Sequence, residues 1–173
     1  MLRRMSGGVP GARAGGRIER WIVGHLRESG CTVSTAESCS GGLLAHRLTD
    51  VPGASEVFPR GYVTYSNAAK ISDLGVPGGA LRAHGAVSGP VAAAMAEGCL
   101  AKAGSDFALA LTGIAGPGGG TRGKPVGTVF IAMARKGKPT ACGRFHFSGG
   151  RGEFKRLATS AALDMLHREL LRG

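Results

Sequence analysis

Cys31-Thr32-Val33-Ser34-Thr35-Ala36, then Glu37-Ser38-Cys39-Ser40-Gly41-Gly42, then Leu43-Leu44-Ala45-His46-Arg47-Leu48: this stretch decides how the chain folds. The first six residues are rich in β-branched types and short enough for a single strand. The next six are polar and end in two glycines, the composition of a turn. The last six are mostly apolar helix formers. A strand that leads through a glycine turn into a helix is one βα step, and such steps build sheets with helices on their faces.

The flanking segments continue the pattern. Ahead of the strand, Ile18, Trp21, Ile22, His25 and Leu26 recur on one helical face, and Gly30 is placed to end that helix as a C-terminal cap. After it, the turn at 51–55 leads to a strand at 61–66, a short helix at 68–74 and a turn at Val76-Pro77-Gly78-Gly79. Ser88 reads as the N-cap of an Ala-rich helix that tolerates Pro90 in its first turn and runs to about Lys102. A buried strand at 106–112 opens into a glycine loop at 113–126. Two strands, 127–134 and 140–147, form a hairpin across Lys136-Gly137-Lys138, and a last helix covers about 151–171. βα units combined with one hairpin predict an α/β domain with a mixed sheet over residues 17–173. Residues 1–16, rich in Gly and Arg and without periodicity, read as a disordered basic tail that activity does not need.

The 173 residues suffice for one domain, and a net charge of +11 attracts an anionic partner, whether a phosphate-bearing ligand or nucleic acid; a solvated basic face and tail would give the same charge. Only 5% of residues are aromatic, so the stacking stripe of a single-strand binder is missing, which argues against nucleic acid. Cys31, Cys39, Cys99 and Cys142 are scattered, with no C-x-x-C pair, and the five histidines are equally dispersed. The expectation is reduced thiols, no metal and no cofactor. Without an apolar run of about 18 residues or a signal-peptide core, the expected location is cytoplasmic, away from membranes.

Three polar turns leave predicted strands. In Glu37–Gly42, a serine before a helix start is either a nucleophile with its oxyanion donors built in or an N-cap with glycines for tight packing. In Tyr62–Lys70, Lys70 is a base if burial lowers its pKa and Tyr65 a proton relay; a surface lysine and a half-buried tyrosine fit the segment equally. In Leu111–Thr128, the glycines let backbone amides approach a phosphate, although the Walker pattern is absent and a plain surface loop has the same composition. All three can meet at one sheet edge.

Taken together, Thr35–Gly42 (TAESCSGG), Gly61–Lys70 (GYVTYSNAAK), Ala83–Ser88 (AHGAVS) and Thr112–Gly120 (TGIAGPGGG) with Lys124–Val129 (KPVGTV) resemble the CinA C-terminal domain family, in the family's order, from about Arg17 to Leu170. The resemblance implies a three-layer α/β/α sandwich on a five-stranded mixed sheet. It also implies hydrolysis of the carboxamide of nicotinamide mononucleotide to nicotinate mononucleotide and ammonia, in pyridine-nucleotide salvage. The family's larger N-terminal domain does not fit in this length, so the likeness is to the stand-alone amidase form. Ser40 stands where the family usually has Thr, and Gly118 where it often has an acid.

Amide hydrolysis needs a nucleophile, a proton shuttle and an oxyanion hole. The expected roles are Ser38 as nucleophile, Lys70 as its base and Tyr65 assisting. Amides near Gly41 and Gly42 are expected to hold the oxyanion. Glu37, Ser40, Asn67, Thr112, Gly113, Gly116 and Lys124 are expected around the nucleotide substrate, with the glycine loop at its ribose or phosphate and Glu37 alternatively bonding its own turn. Cys39 is the second choice of nucleophile. A possible homo-oligomer is expected from the Ala-rich helices. The rival expectation is a non-catalytic nucleotide- or DNA-associated module linked to competence and DNA damage.

Overall fold

The computed structural model describes residues 16–173. The expected tail, apart from Gly16, lies outside them. Helices α1 (Arg17–Ser29), α2 (Leu43–Thr49), α3 (Asn67–Leu74), α4 (Gly78–His84), α5 (Gly89–Ala103) and α6 (Arg151–Leu170) surround one sheet. Its strands are β1 (Val33–Glu37), β2 (Gly61–Val63), β3 (Phe107–Gly113), β4 (Thr128–Arg135) and β5 (Lys138–His146), in the order β2-β1-β3-β4-β5. β2, β1 and β3 run parallel, while β4 is antiparallel to both β3 and β5. The expected mixed five-stranded α/β sandwich is therefore present.

The alternation of side-chain size along the central strands separates the two helical layers. Phe107, Leu109 and Leu111 of β3 with Val129, Ile131 and Met133 of β4 face α1, α2 and α6, where Ile22, Leu26, Leu44, Phe154 and Leu163 fill the space. Ala108, Ala110, Ala132 and Ala134 face the other way, against Val91, Met95 and Cys99 of α5 and Leu74 of α3. Successive residues of a strand point to opposite faces, so β3 supplies large side chains to one layer and methyl groups to the other, and β4 does the same except for Phe130 on the alanine face. The alanine face lets α5 lie close to the sheet. α5 is also pressed from outside: a Cβ at Gly98 would overlap the Leu74 carbonyl at the end of α3. Gly98→Ala should therefore lower the melting temperature despite its better helix propensity of roughly 1 kcal/mol. Overpacking against backbone costs about 1–3 kcal/mol or more, and each kcal/mol is about 2–4 °C for a domain this size. A calorimetric scan checks it, and an unchanged or higher melting temperature refutes the close approach.

Several boundaries differ from the sequence reading. The second strand ends at Val63, because the carbonyls of Thr64 and Tyr65 turn towards Lys70 instead of continuing the ladder. Residues 78–84, of which Gly78 and Gly79 read as a turn, form α4, anchored by the buried Leu81. Gly30 and Ser88 do cap α1 and α5, Gly30 in the left-handed region and Ser88 Oγ accepting from the Val91 amide.

The connection from β1 to β2 runs through α2 on one face, and that from β2 to β3 runs through α3, α4 and α5 on the other. The order reverses between β1 and β3, where the carboxyl ends of the strands open a crevice. β5, antiparallel to β4, also ends at that edge and delivers the start of α6 there.

Candidate active site

Ser38 follows the last residue of β1 and stays tied to the sheet, its amide donating to the Leu111 carbonyl. The turn after it is held by Glu37. This side chain is wholly buried, and its carboxylate accepts from the amides of Gly42 (3.1 Å), Leu44 (2.9 Å) and Ala45 (2.8 Å). Glu37 is thus the cap of α2 rather than a substrate contact. The same bonds correct the expected oxyanion hole. The Gly42 amide is taken by Glu37, and the Gly41 amide donates to the Ser38 carbonyl at 3.1 Å. The Cys39 and Ser40 amides follow Ser38 directly and donate to no carbonyl or carboxylate among the described residues, with only the Cys39 sulfur, a weak acceptor, facing them. An oxyanion formed by attack of Ser38 is best met by these two.

Lys70 comes from the first turns of α3, which Ser66 caps by accepting from the Ala69 amide. Its side chain is 1% exposed, an extreme for lysine. Nζ lies 3.1 Å from Ser38 Oγ, 2.8 Å from the Thr64 carbonyl oxygen and 3.3 Å from that of Tyr65. A neutral amine has two N–H donors and one lone pair. The two carbonyls take the donors and leave the lone pair for the Ser38 hydroxyl. Burial lowers the Lys70 pKa from the ordinary 10.5, opposed in part by charge interaction with Cys39. Burial pushes the Cys39 thiol up to about 12, so it holds its proton at neutral pH, and the Lys70 amine that could take a proton is hydrogen-bonded to Ser38 and not to Cys39.

A base must be unprotonated to work, so kcat/KM for an amide substrate should rise with pH on a limb set by Lys70, with its midpoint below 10.5. The sign for stability is the same. The unfolded chain holds the Lys70 proton up to about 10.5, the folded chain to a lower pH, so stability rises with pH between the two values. A pH–rate profile tests the first statement, and a profile falling across the alkaline range would remove Lys70 as the base.

The other expected residues are distributed as follows. The Tyr65 hydroxyl accepts from Arg151 Nη2 at 2.8 Å, and no bond joins it to Ser38 or Lys70. Its contribution to the pair is the main-chain carbonyl, so its expected part as relay is not supported by contact. Asn67 is exposed at the start of α3, and Ser40 is buried beside Ser38. Thr112 Oγ1 donates to the Ala86 carbonyl at 2.8 Å, which fixes the segment before α5. Gly113 lies against β4, where a Cβ would press on the Thr128 carbonyl. The Gly116 carbonyl accepts from Arg151 Nη1 at 2.9 Å. Lys124 Nζ donates to the His84 carbonyl at 2.8 Å, tying the glycine loop to α4 with one of its three N–H donors.

Arg151 is the residue that sequence reading passed over. It joins Tyr65 to the glycine loop at the mouth of the site, yet lies 113 positions after Ser38. Its only sequence signal is a basic residue opening a helix after the hairpin, which becomes informative once β5 is known to end at the same edge. Among the described residues no cluster of His, Cys, Asp and Glu is arranged to hold a metal ion, and no helix is long and apolar enough to cross a membrane.

The model of the CinA C-terminal domain matches residues 16–170. The CinA-like protein of Akkermansia muciniphila is 49% identical over 162 residues, 94% of this chain and 39% of that protein. The CinA-like protein of Geotalea daltonii is 51% identical over 160 residues, covering 92% and 38%. The chain thus spans about two-fifths of the length of these curated relatives. Among solved structures, the competence/damage inducible protein CihA of Agrobacterium tumefaciens superposes with a TM-score of 0.88 at 41% identity, over 95% of this chain and 98% of that one. A competence-damaged protein (CinA) superfamily protein of Escherichia coli gives 0.85 at 32% identity, over 95% of each chain.

Proposed function

Because this chain belongs to the CinA C-terminal domain family, we propose that it is an amidohydrolase that converts nicotinamide mononucleotide to nicotinate mononucleotide and ammonia, a step of pyridine-nucleotide salvage. The observation that carries this reading is the buried Lys70 amine 3.1 Å from Ser38 Oγ. A scaffold has no need of a desolvated lysine against a serine, whereas a serine nucleophile needs a base at that distance.

In the first half-reaction Lys70 accepts the hydroxyl proton as Ser38 Oγ attacks the carboxamide carbon. The carbonyl π electrons move to oxygen, and the oxyanion is held by the Cys39 and Ser40 amides. As the C–N bond breaks, Lys70 returns the proton to nitrogen, ammonia leaves and the acyl group remains esterified to Ser38. In the second half, water gives its proton to Lys70 and attacks the ester. The carboxylic acid forms, and the proton returns to Ser38. The enzyme ends as it began. Arg151, fixed by Tyr65 and Gly116, orients the pyridine ribonucleotide at the mouth.

The test is ammonia release from nicotinamide mononucleotide by chelator-treated protein. Turnover should persist without added metal. No release, or release only after a metal is restored, overturns the reading. Absence of hydrolysis together with binding of a nucleotide or DNA would favour the non-catalytic module, to which the basic charge and the relatives' competence and damage names also point.

A further inference from the structure

A groove of about 470 Å³ lies beside the Ser38 turn, between the start of α2 and the start of α6, and of its lining the catalytic scheme uses only the Ser40 amide. Its walls include Ser40, Gly41, His46, Lys155 and Arg156. Three features set it apart. Lys155 reaches from α6 over the turn, so that a Cβ on Gly41 would lie 3.2 Å from Nζ; Gly41 also has φ +61°, and only glycine leaves this space open at that conformation. Neither Lys155 nor Arg156 forms an ion pair among the described residues, whereas Arg47 nearby is paired with Glu19. The Ser40 hydroxyl is buried with no hydrogen-bond partner, two residues from Ser38. The one acid in the first turn of α6, Glu153, leans towards Gly149 and does not line the groove.

An ammonium and a guanidinium without counter-ions and an imidazole around one concavity match a phosphate in charge and in donors. The groove adjoins the nucleophile: the Gly41 amide donates to the Ser38 carbonyl at 3.1 Å, so its wall lies a single tight turn from Ser38. We propose that this groove is the phosphomonoester subsite, with Lys155 as its principal contact and Arg156 and His46 completing it, and that it selects a mononucleotide over the corresponding nucleoside. This moves the phosphate from the glycine loop to the other side of the Ser38 turn. The substrate's identity rests on the amidase reading; the anion site does not.

The experiment compares wild type, Lys155→Gln, Arg156→Gln and Lys155→Arg. The first readout is kcat/KM for nicotinamide mononucleotide relative to nicotinamide riboside. The second, independent of turnover, is titration with inorganic phosphate followed through the amide resonances of Ser40–Leu43. Lys155→Gln should reduce the preference for the mononucleotide by roughly 10- to 100-fold, the effect of one charge-assisted hydrogen bond. It should also abolish the phosphate-induced shifts, while Lys155→Arg restores both. Parallel loss on both substrates, or phosphate shifts that survive Lys155→Gln, would overturn the subsite. Hydrolysis with no phosphate effect leaves the amidase and removes the subsite. Phosphate shifts that need Lys155, in a protein that hydrolyses neither substrate, leave the subsite and remove the amidase.

Discussion

Ser38→Ala and Lys70→Ala should each reduce turnover of nicotinamide mononucleotide by roughly 10³- to 10⁶-fold, and the double variant should be scarcely slower than either single one. The expectation follows from the 3.1 Å contact: the hydroxyl is inert without a base, and the amine has nothing to deprotonate without the hydroxyl. Cys39→Ala should keep most of its activity, since that thiol stays protonated at neutral pH and has no hydrogen bond to Lys70. Ser38→Ala removes one oxygen and should leave the fold intact. Lys70→Ala empties a buried site and frees the Thr64 and Tyr65 carbonyls, so Lys70→Met, which keeps the volume, serves beside it. Steady-state rates and a melting curve for each variant make the check. Losses that multiply in the double variant would mean that the two residues act separately, and would end their assignment as nucleophile and base.

The second large effect should come from Glu37, and it should be an effect on stability. Glu37→Ala strands the amides of Gly42, Leu44 and Ala45 without their protein acceptor. An unsatisfied buried donor costs about 1–3 kcal/mol, so roughly 3 kcal/mol or more is expected in total. For a domain of this size that is a fall of about 6–12 °C or more in melting temperature. Glu37→Gln should recover only part of it, because the new NH2 group faces amide donors where an oxygen stood. Activity should fall with the fold, as the turn that aims Ser38 loosens. A melting temperature unchanged from wild type, with activity lost, would instead place Glu37 on the substrate.

Much of the architecture was open to reading because its causes are local. A β-branched run, a glycine pair and an apolar helix are legible within Cys31–Leu48, and Ser88 and Gly30 signal helix ends by short-range chemistry. α4 was not legible, since it opens on Gly78-Gly79, which signal a turn, is only seven residues long, and is held by packing Leu81 into the layer of α5. The strand expected over 61–66 was cut short for a comparable reason: two of its carbonyls serve Lys70.

The candidate site divides along the same line. By itself the sequence determined which turns leave strands, and so which polar residues stand at the carboxyl edge of a mixed α/β sheet. Ser38, Lys70 and Thr112 were all identifiable in that way. Only the tertiary structure decided what each does there. It buried Lys70 against Ser38, spent Glu37 and the Gly41 and Gly42 amides on the turn, tied Lys124 to His84, and carried Arg151 and Lys155 across from the last helix. Turns and caps arise among near neighbours in the chain. Desolvation, counter-ion pairing and hydrogen-bond commitment depend on atoms brought together by folding, often from a hundred residues away, and no local pattern encodes them.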